Sequence, residues 1–186
     1  MPRLIRAALA ALVVALIVLF VYHRTRQQVP AVQPAPPPVA VETAPEPEPA
    51  LNAHIYKEDA DAKKDIEGAL ALAQATNKNV LLDFGANWCP DCQVLDIYMH
   101  QPPNDDLLQK YYVPVHVDVG RMDKNLDVAY TFNVPINKGI PALAVVQPTG
   151  RVVFSQTKGE FNNMRAMQPE ALTEFLKMWK PHVPNK

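Results

Sequence analysis

The stretch VLLDFGANWCPDCQVLDIYMH, residues 80–100, carries both cysteines of a 186-residue chain, Cys89 and Cys92, with Pro90 and Asp91 between them. Residues 80–86 are short and mostly apolar, as a buried strand is. The residues after Cys89 read as a helix that ends before Pro102 and Pro103, because a residue ahead of proline is pushed out of helical geometry. A strand leading straight into a helix puts the cysteine pair at the strand's carboxyl end and the helix's amino end. Unpaired backbone N–H groups gather there, and the helix dipole favours negative charge. A thiolate is the anion that gains from this placement.

Working outward, Ala62, Ile66, Ala69, Leu70 and Ala73 fall at helical spacing, and the pattern stops at the polar TNKN. Downstream, NDDLLQKYY reads as a short helix capped by Asn104. VPVHVDVG is a strand with Pro114 near its start, KNLDVAYTF a helix and ALAVVQ a strand. RVVFSQ pairs with ALAVVQ across the turn at residues 148–150, and PEALTEFLKMWK closes as a helix with Pro169 in its first turn. Strands alternating with helices, then a hairpin and a last helix, predict an α/β layer structure with a mixed sheet.

Composition divides the rest. Eighteen basic against 19 acidic residues exclude a global field that recruits nucleic acid or anionic lipid. Two cysteines exclude a disulfide-stapled scaffold and a four-sulfur zinc site within one chain. Eight of the 19 prolines fall in residues 23–50, which lack apolar periodicity and read as a disordered, polyproline-rich tether. Ahead of it, Arg3 and Arg6 precede sixteen uncharged residues, 7–22. As a helix that run reaches roughly 24 Å, a little short of a hydrocarbon core. A cleaved signal ends in a small-x-small site; this run ends in FVYHRTRQQ, bulky and basic, so residues 1–22 are expected to be an uncleaved transmembrane anchor. Either reading carries the domain across a membrane, although Arg3 and Arg6 against Arg24 and Arg26 leave the charge comparison near a draw. Residues 51–186 remain, a normal size for one domain.

Three functions compete for the cysteine pair. A zinc knuckle needs two further ligands at workable spacing, and His54, His100 and His116 form no such cluster, so no metal is expected. A structural disulfide across so small a loop restrains the unfolded chain little. Reversible dithiol–disulfide exchange is favoured. In it Cys89, partly exposed at the helix start, supplies the attacking thiolate, and the more buried Cys92 resolves the mixed disulfide, making the two a redox-active pair. Trp88 shields one side of the site, unless it is a core filler. Asp83 lies in an apolar strand, where a carboxylate needs a partner or a purpose; a base or proton store for Cys92 is favoured over an edge residue facing water. Ile140-Pro141 stands just before a strand, where proline is tolerated, and is a candidate cis peptide offering backbone groups to a substrate. Asp91 opposes thiolate formation at Cys89, and no His or Arg in the motif offsets it, which predicts a moderately reducing couple.

VLLDFGANWCPDC and GIPA together resemble the strand, Trp-Cys-x-x-Cys and cis-proline segments of the thioredoxin superfamily, over about residues 55–180. The resemblance implies a thioredoxin-like fold, a central mixed sheet flanked by helices. It implies Cys89 as nucleophile, Cys92 as resolving thiol, Asp83 as the buried acid and Pro141 as the cis-proline after Ile140, with Trp88, Ile140 and Pro141 meeting substrate. Protein thiols and disulfides are the implied substrates, with an upstream thiol electron donor and no cofactor. The tethered design resembles periplasmic, inner-membrane members from Gram-negative bacteria, the C-terminal domain of the interchange protein DsbD foremost and cytochrome-c-maturation thioredoxins behind it. Three departures stand out. Gly85 occupies the place of a second Trp, so that wall is expected to be open. YVPVHVDVG holds no lysine to pair with Asp83. GEFNNMRAMQ is longer than the usual link and reads as a surface loop rather than a lip. The reading from another class is a tethered binding module whose cysteines do not cycle.

Overall fold

The protein's structure, a computed structural model, describes residues 2–26 and 54–182. The chain divides into two units, residues 1–46 and 47–186. In the first, α1 (Pro2–Arg26) runs past Tyr22, and the Thr25 hydroxyl donates back to the Val21 and Tyr22 carbonyls. Among the described residues no helix is long and apolar enough to cross a membrane. The expected anchor therefore rests on the sequence run alone, and the expected tether lies, beyond Arg26, outside the described residues.

The second unit is built on four strands, β1 (Asn79–Gly85), β2 (Tyr112–Asp118), β3 (Ala142–Val146) and β4 (Val152–Ser155), in the order β2-β1-β3-β4. β1 runs parallel to β2 and antiparallel to β3, and β4 is antiparallel to β3. The sheet is mixed, as expected. Parallel neighbours need a crossover, supplied here by α3 (Pro90–Met99) and α4 (Asn104–Tyr111).

Every residue of β1 is buried, because helices cover both of its faces. Side chains alternate along the strand. Val80, Leu82 and Phe84 join the cluster that includes Ile66, Ala69 and Ala73 of α2 (Ala62–Thr76) and Val128 of α5 (Leu126–Thr131). Leu81 joins Leu95, Leu108 and Leu143, together with Leu172 and Leu176 of α6 (Pro169–Met178). Each fully buried leucine contributes about 1.5–3 kcal/mol, so the two clusters hold the sheet from either side. Asp83 falls on the same face as Leu81, in register with His116 on β2 and Leu143 on β3.

Local signals place the helices. Asp61 caps α2 by accepting the Lys64 N–H at 3.2 Å, and Asn77 ends it in the left-handed region at φ 54°. Asn104, expected to cap α4, does not: Pro103 holds the cap position and Asn104 is the first helical residue. The Asn104 side chain is buried, where an amide must find partners. It donates to the Tyr98 carbonyl at 2.9 Å and accepts from the Thr173 hydroxyl at 2.7 Å, tying α3, α4 and α6 together.

Candidate active site

Pro90 occupies the first position of α3, where its fixed φ suits a helix and its missing N–H costs nothing. That leaves Cys89 as the cap, with its sulfur accepting the Cys92 N–H at 3.3 Å. The same sulfhydryl donates to the Ile140 carbonyl at 3.6 Å. The Ile140-Pro141 peptide is cis, and β3 begins at the next residue. Both cysteines are free thiols. Cys89 is only 3% exposed, which corrects the expectation of partial exposure: the Ile140 carbonyl closes over the sulfur from the proline loop.

The two thiols are unlike. The hydrogen bond with Cys92 chiefly lowers the Cys89 pKa, and backbone N–H groups at the helix start add to it, outweighing burial and the Asp91 charge. Burial pushes the Cys92 thiol far up, and the bond to Cys89 and the Asp83 charge push the same way. One sulfur ionises readily and the other holds its proton.

Asp83 is 2% exposed, as its apolar neighbours require. It does not lack partners, although no lysine stands on β2. Its Oδ2 accepts the Tyr56 hydroxyl at 2.7 Å and lies 2.9 Å from His116 Nδ1, while Oδ1 is unpartnered. Burial, then the charges of Asp83 and Cys92, raise the Tyr56 pKa well above its ordinary value. Burial works against the His116 imidazolium, but the bond and charge of Asp83, with Asp96 behind them, leave its pKa raised.

The wall at Gly85 is filled rather than open. A Cβ there would fall on the Tyr56 phenol, so glycine is what admits the ring. Asn87 seats that tyrosine: it accepts the Tyr56 N–H at 2.9 Å and donates to the Tyr56 carbonyl at 2.8 Å. Trp88 is 51% exposed and no core filler; its indole N–H donates to the Gly120 carbonyl at 2.8 Å, which holds the ring at the surface beside Cys89.

Arg165 reverses the expectation for Asp91. Its backbone N–H donates to Asp91 Oδ1 at 3.0 Å, its Nε to the same oxygen at 3.2 Å and its Nη2 to Oδ2 at 3.1 Å. Burial opposes ionisation of Asp91, but these contacts win and hold its carboxyl below the usual range. The segment expected to be a surface loop thus buries Met164 and places a cation next to the cysteine motif. Asp91 no longer argues for a reducing couple. Among the described residues, no three His, Cys, Asp or Glu side chains group as a metal site needs.

A thioredoxin-like family matches residues 61–148. The crystal structure of a disulphide isomerase from Xylella fastidiosa Temecula1 is 40% identical, with a TM-score of 0.66, over 69% of this chain and 98% of that one. The chain belongs to the thioredoxin-like family. A thioredoxin from Buchnera aphidicola subsp. Schizaphis graminum is 29% identical over 86 residues, 46% of this chain and 70% of that protein. The oxidised DsbD C-terminal domain of Neisseria meningitidis covers 62% of this chain and 94% of its own, at 17% identity and a TM-score of 0.41, too distant to bear on activity. The class of activity is thiol–disulfide oxidoreduction.

Within this thioredoxin-like domain the structure brings Cys89, Cys92, Asp83, Ile140 and Pro141 together and sets Trp88 beside them. Sequence reasoning missed Tyr56, Asn87 and Arg165, and weighed His116 only as a metal ligand. His116 was within reach: pairing β1 with β2 in parallel puts it opposite Asp83. Tyr56 and Arg165 lie 27 and 74 residues from the carboxylates they meet, in segments without regular pattern.

Proposed function

We propose that this protein exchanges dithiol for disulfide with protein substrates through Cys89 and Cys92, reducing or reshuffling their disulfides. The carrying observation is the Cys89 sulfur, capped by the Cys92 N–H at 3.3 Å and facing the Ile140 carbonyl at 3.6 Å. The Cys89 thiolate attacks one substrate sulfur, the substrate's S–S bond breaks, and the departing sulfur leaves with the electron pair. Cys92 then gives up its proton and attacks Cys89, a Cys89–Cys92 bond forms, and the second substrate thiol departs. Two electrons have passed to the substrate, and an upstream thiol donor restores the dithiol. Backbone of the substrate lies beside Ile140 and Pro141, with Trp88 flanking it.

The reducing direction draws its support from the 40% identity to a protein called a disulphide isomerase, a task that needs Cys89 kept as a thiol. The apolar run and the proline-rich stretch support a bacterial inner-membrane location, single-pass, with the domain in the periplasm. Equilibration against glutathione tests the direction: a potential at the oxidant extreme, about −120 mV, overturns it. Cys89→Ser is expected to abolish reduction of insulin, and Cys92→Ala to accumulate mixed disulfides. Retained function in Cys89→Ser hands the case to the tethered binding module. A reporter fused at the C-terminus, read in either compartment, tests the topology.

A further inference from the structure

The proposed exchange seats substrate backbone beside Ile140, and an inference about what holds Ile140 in place rests on that reading. The Ile140 carbonyl stands 3.6 Å from the Cys89 sulfur, so a small shift of this stretch changes what a peptide meets as it reaches the thiol. The sheet does not hold the stretch from the β4 side. β3 begins at Ala142, and its pairing with β4 runs only as far as Ala144 opposite Ser155.

Gln156, the residue after β4, takes over from the strand. It is 1% exposed, and a buried amide needs partners for both of its ends. Its Oε1 accepts the Leu143 N–H at 3.2 Å, its Nε2 donates to the Pro141 carbonyl at 3.2 Å, and its backbone N–H donates to the Leu143 carbonyl at 2.9 Å. The chain is thereby fixed just after Ile140. Asn162 fixes it just before, where its Nδ2 donates to the Lys138 carbonyl at 2.6 Å. The Asn162 amide lies between two glycines. A Cβ on Gly139 would fall 2.8 Å from Nδ2 and one on Gly159 2.5 Å from it, so the absence of both lets the two loops close on the amide. The segment that carries Asn162 is itself anchored. Phe161 and Met164 are buried in the cluster that holds Leu143 and Leu172, and Arg165 ties the segment to Asp91.

We propose that Gln156 and Asn162 are positioning residues for substrate binding: they grip the chain on either side of Ile140 and hold its backbone where a peptide pairs with it beside Cys89. Their side-chain hydrogen bonds go to Lys138, Pro141 and Leu143, so they act through Ile140 and not on the sulfurs. A disulfide set in a peptide chain depends on this grip. A small disulfide without a backbone has nothing to pair with Ile140 and depends on Cys89 alone.

That difference supplies the test. Reduced full-length protein is mixed with insulin, whose disulfides sit in peptide chains, or with dithionitrobenzoate, a small aromatic disulfide, and the second-order rate constant is measured for each. Asn162→Ala, at a half-buried position, is expected to lower the insulin constant about fivefold more than the dithionitrobenzoate constant, the scale of the one hydrogen bond that held the loop. Gln156→Met, which keeps the bulk and loses both side-chain hydrogen bonds, is expected to lower the insulin constant selectively as well. An insulin constant that holds, or a loss of equal size on both disulfides, overturns the proposal in either folded variant. Should Gln156→Met fail to fold, Asn162→Ala decides alone. Unaltered protein that reacts with neither disulfide sinks the exchange reading itself, and the positioning role with it.

Discussion

Asp91 carries its charge between the two cysteines, and Arg165 answers it from the far end of the domain through three hydrogen bonds. Replacing Arg165 with Gln removes the guanidinium and leaves that carboxylate the backbone N–H of residue 165 but no cation to offset its charge toward Cys89. The Cys89 thiolate is then harder to form, and its alkylation by iodoacetamide should shift to higher pH; Asp91→Asn in the same background should reverse the shift. Stability should change little, because the guanidinium is largely exposed. The pH dependence has two limbs. The lowered Asp91 pKa gives stability that is present above the ordinary carboxylate value of 3.8 and lost as pH falls through the folded one. The raised His116 pKa gives stability that is present below 6.5 and lost as pH rises through the folded value. Urea midpoints across pH should therefore decline at both ends, and His116→Gln should flatten the alkaline limb alone.

At the scale of elements, β1 and the segment ahead of α2 share one space. Gly85→Ala drives a methyl into the Tyr56 phenol, and overpacking of this kind costs about 1–3 kcal/mol, readable as a lower urea midpoint. Asn87→Ala removes both hydrogen bonds that seat Tyr56, and should cost a similar ~1–3 kcal/mol. The strand, the turn and α3 were legible in sequence because their causes are local: an apolar run, Pro90 at a helix start, a proline pair at its end. Asp83 was legible as an anomaly within that run. Of its partners, His116, 33 residues away, follows once β1 and β2 are paired, whereas Tyr56, 27 residues away in an irregular segment, is brought in by packing alone. Asn104 failed as a cap for the same reason. Its burial among three helices is a fact of packing, and no window of sequence contains it.

At the scale of the molecule, the described members of both hydrophobic clusters lie within residues 55–179. A chain lacking residues 1–50 is expected to fold, to reduce insulin as the full chain does and to show an unchanged potential against glutathione; a changed potential overturns this. The two tryptophans divide the molecule between them. Trp179 lies against Phe154, with ring centroids 5.3 Å apart. Trp88, next to Cys89, stands half in water. Ultraviolet emission therefore carries a steady background from one indole and a variable part from the other. Closing the Cys89–Cys92 bond places a quencher beside Trp88 alone, so the oxidation state of the pair can be followed by its own glow, without a dye.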